Sequence, residues 1–288
     1  MDAFDRFIER NLTVTGRWNS PKYLFGESYG TARAAMLAYR LNQDNIALNG
    51  VILMSSVLDS AAFSSGSDFE NISYLPTFAA ITWYHDRIAP KRPDLAAFLA
   101  EVRAFARGPY AQALALGDAL PDSTRDAMAA RIAAHTGLVP QYVKETHLRV
   151  WPTRFRKQLL RSESRCVGRF DARFAGVHYD DSGERPEYDP SASGISGAFA
   201  AALHRHLTQD LKYKIEDRYL VFNNNALKRW DWKHREPGGG ASVAIRGRRS
   251  RSDHAAESGD AGVVAKRLFR SGDTVLCNRI CVVASRPR

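Results

Sequence analysis

The sequence has few cysteines and no long apolar run, and both features limit what the protein can be. Its 288 residues include 3 Cys, too few for the disulfide framework of a small secreted domain. No run of about 18 apolar residues occurs, so we expect no membrane-spanning helix and no membrane partner. With 44% hydrophobic and 25% charged residues the composition is globular, which excludes collagen-like and wholly disordered proteins.

The positive charge is concentrated near the C-terminus. Residues 1–236 hold 31 Lys and Arg against 27 Asp and Glu, a net charge of +4, whereas residues 237–288 hold 10 against 4, a net charge of +6. A nucleic-acid-binding function would therefore depend on the last fifth of the chain alone.

Three segments differ in pattern, and from them we predict the domain organisation. In residues 1–60 the apolar spacing predicts helix, strand, turn, helix and strand, the order typical of an α/β sheet. Residues 61–236 have a mostly helical pattern, which we interpret as a large helical cap over that sheet. Residues 237–288 begin with Pro237-Gly238-Gly239-Gly240, and their one candidate strand is Asp273–Cys277.

The individual elements follow from the apolar spacing and from the positions of Pro and Gly. We predict a strand at Lys22–Phe25 that is broken at Gly26, a helix at Thr31–Leu41, and a parallel strand at Gly50–Met54 that is buried on both faces. In the second segment the predicted helices are Leu75–Ile88, Asp94–Phe105, Ser123–Ala134 and Ile195–Asp210. Ser123-Thr124-Arg125-Asp126 matches a capping box that opens the third of these helices.

One pentapeptide carries the chemistry of a nucleophile. Gly26-Glu27-Ser28-Tyr29-Gly30 matches the G-x-S-x-G nucleophile elbow, with a predicted strand before it and a predicted helix after it. Such a turn raises the serine hydroxyl clear of the sheet and directs the positive end of the helix at the reacting centre. We therefore predict that Ser28 is the nucleophile and that the backbone N–H of Tyr29 is one oxyanion-hole donor.

Glu27 is unusual beside a nucleophile, because its carboxylate would repel a developing oxyanion. If burial holds the side chain protonated, it can donate a hydrogen bond to a substrate carboxylate. The alternative is a solvated glutamate at a helix start, where the helix dipole favours it. The pentapeptide by itself leaves both alternatives open.

The elbow region resembles that of serine carboxypeptidases, in their bacterial branch. The likeness covers residues 1 to about 236 and is carried by Arg17 to Gly30, Leu48 to Leu53, Tyr74 to Ala80, Tyr188-Asp189-Pro190 and Trp230-Asp231-Trp232. The resemblance implies an α/β-hydrolase fold with a helical cap and a peptidase that removes residues from the free C-terminus of a peptide. It implies Ser28 as nucleophile, Glu27 as part of the substrate-binding site for the terminal carboxylate, and no cofactor.

Other parts of the family pattern are missing. The family places a Gly-rich oxyanion segment well before the elbow, whereas 27 residues precede Ser28, so we expect that segment to be absent. Relatives of this kind are expected to be exported, but we expect no signal peptide in this chain, and its localisation stays open. The His base and the Asp of the triad belong late in the chain, where the sequence no longer resembles the family.

The basic tail has the composition of an out-of-frame translation. Codons for Gly247–Pro287 can be chosen so that the frame starting at the second base spells a peptide containing Gly-Tyr-Phe-Asp-Leu-Ala-Thr-Pro, the family segment with the catalytic Asp. For example TTT-CGA-TCT encodes Phe269-Arg270-Ser271 and, shifted by one base, begins Phe-Asp. We therefore predict a frameshift that replaces the acid with Arg270 and Ser271 and leaves the His beyond the chain.

No other group of residues offers a convincing site. His254 follows Asp253 and Asp273 lies further on, but neither position has the strand-end context of a triad member. Cys277 and Cys281 have no second Cys or His pair, so we predict no metal. The arginines at Arg246–Arg251 are the expected product of a shifted frame in a GC-rich gene, so we predict no nucleic-acid partner.

The remaining histidines and aromatic residues are assigned to structure. His204 and His206 are two apart on a predicted helix and are expected at the surface. Tyr74, Phe78, Trp83 and Tyr84 have helical spacing, which more often marks a core than a substrate cleft.

Together these observations predict a serine-type carboxypeptidase by ancestry that has lost its hydrolytic activity. The alternative is a non-catalytic fragment whose basic tail binds acidic partners. Because a parallel sheet without its outer strands exposes edges and apolar faces, we expect the cap to fold better than the sheet.

Overall fold

The computed structural model describes residues 2–58 and 67–214, together with 216–217, 219–220, 223, 225 and 228–229 and the backbone of 234–235, 241–242 and 280–284. The chain divides into two compact units. We call Met1–Phe69 with Trp232–Arg288 the elbow unit, and Glu70–Asp231 the helical unit. The described residues form a mixed α/β protein with far more helix than strand, so the predicted class is confirmed at that level.

The elbow unit begins with alternating helices and strands: α1 (Asp2–Thr15), β1 (Tyr23–Glu27), α2 (Tyr29–Gln43) and β2 (Gly50–Met54). β1 and β2 pair in parallel, with Tyr23 opposite Gly50 and Glu27 opposite Met54. A parallel pair requires a crossover connection, which α2 provides. Since β1 continues through Gly26 to Glu27, the prediction that Gly26 breaks the strand was wrong.

The helical unit contains the longer series of helices: α3 (Phe69–Tyr84), α4 (Leu95–Phe105), α5 (Ala111–Leu116), α6 (Asp122–Thr136), α7 (Pro140–Glu145), α8 (Pro152–Gln158), α9 (Pro190–Ser193) and α10 (Ser196–Arg205). Between α8 and α9 lies an antiparallel pair of short strands, β3 (Arg165–Val167) and β4 (Ala175–Val177). A helix overlaps each of the four predicted in this segment. α3 begins and ends several residues before its predicted bounds, Leu75–Ile88, and α10 ends at Arg205 rather than at Asp210. None of the helices in the described part of the chain is long and apolar enough to cross a membrane.

The capping box predicted for α6 was wrong. The helix begins at Asp122, one residue before Ser123, and its N-cap is Pro121, whose side chain accepts no hydrogen bond. Ser123 is therefore inside the first turn, where its hydroxyl cannot cap. A side-chain cap is present instead on α4, where Asp94 accepts hydrogen bonds from the N–H groups of Ala96 and Ala97.

Three further strands lie late in the chain: β5 (His234–Arg235), β6 (Ala241–Ser242) and β7 (Ile280–Ala284). β7 pairs antiparallel with β2, with Val282 opposite Ile52, which makes a sheet of order β1-β2-β7. The sequence of β7 is rich in β-branched residues, which favour strands. The candidate strand Asp273–Cys277 lies outside the described residues.

The helical unit has an extensive apolar core built from α3 to α8 and β3. Phe155 of α8 is fully buried and stacks on Phe78 of α3, with ring centroids 4.1 Å apart. Tyr74 and Trp83 pack against this core, whereas Tyr84 is exposed. The prediction that the aromatic residues of α3 belong to a core therefore holds for Tyr74, Phe78 and Trp83 but not for Tyr84.

A buried cation connects α8 to the loop before α9. The ammonium group of Lys157 has no exposed surface and donates hydrogen bonds to Glu187 Oε1 at 2.6 Å and to the carbonyl oxygen of Asp180. The hydrogen bond from Lys157 lowers the pKa of Glu187 below its usual range. The ring of His178 is also buried, and its Nδ1 atom is 3.6 Å from the second carboxylate oxygen of Glu187, Oε2.

Among the described residues of the elbow unit the apolar core is much smaller and is made by Leu12, Leu41 and Ile46. In β2 Gly50 is buried, but the other four residues are only half-buried. The prediction that this strand is buried on both faces was therefore wrong for the described structure. The continuous apolar run marks a strand suited to full burial, but burial depends on what covers each face.

Candidate active site

Ser28 occupies the single position between the last residue of β1 and the first residue of α2. Its backbone angles are φ 51° and ψ −120°, a combination that side chains with a Cβ rarely adopt. Non-glycine residues in such conformations cost on the order of 1–3 kcal/mol and occur where the surrounding structure holds them. The sequence-predicted elbow thus has the strained strand-to-helix turn that the motif requires.

Hydrogen bonds to the neighbouring strand and helix hold this turn in place. The N–H of Ser28 donates to the carbonyl oxygen of Met54, the last residue of β2, at 2.9 Å. The carbonyl oxygen of Ser28 accepts from the N–H of Thr31 at 3.0 Å and from its hydroxyl at 2.6 Å. These bonds use the backbone groups of Ser28 and leave its side chain to the solvent side, where the residue is exposed.

Thr31 is a residue of this site that the sequence analysis missed. It is fully buried, and its hydroxyl also accepts a hydrogen bond from the N–H of Val57 at 2.9 Å. One side chain therefore connects the turn, the first turn of α2 and the segment after β2. The available signal was a threonine three residues after the nucleophile, since Ser and Thr hydroxyls commonly bond nearby backbone groups at helix starts.

The two glycines of the motif have different roles. A Cβ on Gly26 would overlap the carbonyl oxygen of Gly30 and lie 2.7 Å from its carbonyl carbon and 3.0 Å from the Cβ of Ala34. Gly26 is thus required by the close approach of β1 to α2. A Cβ on Gly30 would meet nothing within 4 Å, so no steric reason for glycine exists there among the described residues.

The other two predicted site residues flank Ser28 directly. Tyr29 is the first residue of α2, so its N–H lies at the positive end of that helix. Glu27 is the last residue of β1 and is exposed. The burial that would hold Glu27 protonated is not found in the described structure, and the solvated alternative describes its side chain.

The histidines with described side chains all belong to the helical unit: His85, His135, His147, His178, His204 and His206. His135 packs between Phe98 and Phe105 of α4, and burial lowers its pKa. The Nε2 atom of His85 is 2.7 Å from the carbonyl oxygen of Ala172. His204 and His206 are exposed, which confirms the prediction for that pair.

The elbow unit holds two histidines by sequence, His234 and His254. Only the backbone of His234 is described, and His254 lies outside the described residues. The same is true of Asp253, Arg270, Ser271, Asp273 and Cys277, and Cys281 is described only as a backbone position of β7 opposite Leu53. The structure therefore brings together Glu27, Ser28, Tyr29 and Thr31 and adds no acid–base partner from the described residues of the elbow unit.

No protein-family model, no curated protein and no solved structure matches this chain.

Proposed function

We propose that the elbow unit carries the nucleophile elbow of an α/β-hydrolase and that the chain derives from a serine carboxypeptidase. The observation that carries this proposal is the backbone of Ser28, with φ 51° and ψ −120° at a junction of one residue between β1 and α2. Non-glycine residues rarely adopt so costly a conformation, and the nucleophile of a strand-to-helix elbow is one of the positions where it serves a function.

Two neighbouring features support the same assignment. β1 and β2 are parallel and joined through α2, which is the strand–helix–strand unit on which the elbow of this fold is built. Gly26 lies against Gly30, as the tight turn requires. In this proposal the helical unit corresponds to the cap subdomain of the family.

The chemistry of the ancestral site is acyl transfer. Ser28 Oγ attacks the carbonyl carbon of the last peptide bond, its proton passes to a base, and the Tyr29 N–H helps to hold the oxyanion. The C–N bond then breaks as the amine leaves with that proton, and water hydrolyses the Ser28 ester. The family's role for Glu27, recognition of the substrate's free carboxylate, requires a buried side chain, whereas Glu27 is exposed here.

We propose further that this chain does not perform the reaction. A serine hydroxyl without a base remains protonated and is a weak nucleophile. The residues at the expected position of the acid are Arg270 and Ser271, which cannot orient an imidazole as a carboxylate does.

The ancestry is tested by the nucleotide sequence that encodes residues 230 to 288 and its flanks. We expect the frame shifted by one base to spell Gly-Tyr-Phe-Asp and later a histidine codon, and an upstream frame to encode the Gly-rich segment. Codons that do not spell this peptide would contradict the frameshift and reopen the search for a base among His254 and the histidines of the helical unit.

The loss of activity is tested with a fluorophosphonate probe and with peptides that have a free C-terminus. We expect the chain to release no C-terminal residue and to be labelled no more than its Ser28→Ala variant. Ser20→Ala is the matched control, because Ser20 lies just before β1 in the same unit. Labelling that disappears in Ser28→Ala but persists in Ser20→Ala would overturn the claim of inactivity.

One observation favours a second, non-catalytic function. Residues 237–288 carry a net charge of +6, which attracts acidic partners without specific contacts. Salt-sensitive retention of the chain on a polyanion column, lost when residues 237–288 are deleted, would support this alternative. Retention that survives the deletion would exclude the tail as its source.

A further inference from the structure

A cavity of about 380 Å³ lies wholly within the helical unit and takes no part in the chemistry proposed for Ser28. It is bounded by the end of α5, the first turn of α6, the end of α7 and the start of α8. Small-molecule sites have volumes of roughly 300–1,000 Å³, so this space suits a compact ligand.

Three guanidinium groups line the cavity beside an apolar surface. The arginines are Arg125, Arg149 and Arg154, and the apolar side includes Leu114, Leu148 and the exposed ring of Trp151. Asp118 and Glu145 also line it, so its walls carry a net charge of about +1. An apolar surface beside converging cations is the lining expected for an organic anion rather than for a bare metal or a neutral sugar.

The cations differ in how fully they are already engaged. Arg154 pairs with Glu184 at 2.6 Å, and Arg149 donates to the carbonyl oxygens of His147 and Leu114. The Nη2 atom of Arg125 donates to the Leu120 carbonyl oxygen at 3.1 Å, but its buried Nε has no hydrogen-bond partner in the described structure. The nearest carboxylate oxygen, on Asp122, is 3.9 Å from that Nε.

One part of the cavity wall has strained backbone. His147 and Leu148 are consecutive residues with φ 51° and 66°, in the left-handed region that non-glycine residues avoid. The buried hydroxyl of Tyr110 fixes this bend by donating to the Leu148 carbonyl oxygen at 2.7 Å. The wall of the cavity is therefore formed before any ligand arrives, which reduces the entropic cost of binding.

We propose that this cavity binds a small carboxylate with an apolar body, whose charged group accepts from Arg125 and whose body lies on Leu114, Leu148 and Trp151. The ligand's charged group accepts from the part of the Arg125 guanidinium that is accessible, since this side chain is 24% exposed, and the apolar body removes the Trp151 ring from water. Because the site is independent of Ser28, its failure would leave the proposed function unaffected.

The test is a titration of the full-length chain with sodium benzoate at constant ionic strength, followed by tryptophan fluorescence. We expect saturable quenching that is absent in Trp151→Phe, which identifies the responding ring. Benzamide has nearly the same shape without the charge. We expect it to bind at least about tenfold more weakly than benzoate, because charge-assisted hydrogen bonds are stronger than neutral ones. Inorganic phosphate, an anion without an apolar body, is expected to compete poorly.

Substitutions at the cavity make the test specific. Arg125→Gln is expected to weaken benzoate binding about tenfold, whereas Arg185→Gln, at an exposed arginine outside the cavity, leaves it unchanged. Asp118→Asn, at an exposed position, removes a like charge and is expected to tighten binding two- to threefold, an effect on the order of RT that no folding defect would mimic.

The proposal would be overturned by no saturable response to benzoate, by equal affinity for benzoate and benzamide, or by unchanged affinity in both Arg125→Gln and Asp118→Asn. Binding of phosphate as tight as that of benzoate would likewise refute a ligand with an apolar body.

Discussion

In the helical unit Phe155 and Phe78 stack inside a core that extends from α3 to α8, whereas in the elbow unit Tyr23 and Phe25 of β1 are 59% and 60% exposed. Both units have apolar residues in the right period for their elements. The difference lies in what covers them, because helices can cover one another while a two-sided sheet needs a layer on each face. The comparison shows that an apolar pattern typical of a strand does not by itself ensure that the strand is buried in a core.

The largest expected effect comes from the core of the helical unit. Phe155→Ala removes a fully buried ring that stacks on Phe78, so we expect a loss of about 3–5 kcal/mol in the free energy of unfolding. Urea unfolding followed by far-ultraviolet circular dichroism measures it. The control is Phe170→Ala in the same unit, which truncates an exposed ring and is expected to change stability by less than about 0.5 kcal/mol. Equal losses would refute the contrast between core and surface.

In the elbow unit the glycines of the turn give the next largest effect. Gly26→Ala places a methyl group against the backbone of Gly30, and we expect a loss of about 1–3 kcal/mol. Gly30→Ala meets nothing within 4 Å and replaces glycine inside α2, so a gain of up to about 1 kcal/mol is expected. Thermal unfolding of the two variants checks this opposition in sign, and a common sign would contradict the geometry of the turn.

Ser28 itself should stabilise the elbow unit less than glycine would. Ser28→Gly relieves the strain of φ 51°, so we expect a gain of about 1 kcal/mol after the entropy that glycine adds to the unfolded chain. Ser20 has no positive φ, so we expect Ser20→Gly to lower the free energy of unfolding by up to about 1 kcal/mol. Differential scanning calorimetry of both variants tests the strain, and a destabilised Ser28→Gly would exclude it.

The smallest effect is a pH dependence in the helical unit. Because the Lys157 hydrogen bond lowers the pKa of Glu187 in the folded state, this carboxylate stabilises the unit above the usual glutamate range. That contribution is lost as the pH falls through the lowered pKa. Urea unfolding of the parent and of Glu187→Gln should therefore differ more at about pH 7 than at about pH 2. A constant difference would show that the Lys157–Glu187 pair carries no such linkage.

Much of the local structure followed from pattern alone. The strand Gly50–Met54 was predicted with its observed bounds, and the helices predicted at Asp94 and Ser123 differ by one or two residues at their ends, whereas the helix predicted from Leu75 begins at Phe69. Local rules succeeded because period and turn chemistry act within one element. The capping box failed for a local reason, since α6 begins directly after Pro121 and Ser123 is already inside its first turn.

For the candidate site the sequence determined which residue types stand in the motif and that a strand precedes and a helix follows Ser28. Only the tertiary structure decided that Ser28 bonds to Met54 of the neighbouring strand, that Thr31 joins the turn to Val57, and that Glu27 remains exposed. Ser28 and Met54 are 26 positions apart in the sequence, and so are Thr31 and Val57. The physical reason is that motif spacing specifies a turn, whereas burial and hydrogen bonding depend on which distant segment packs against it.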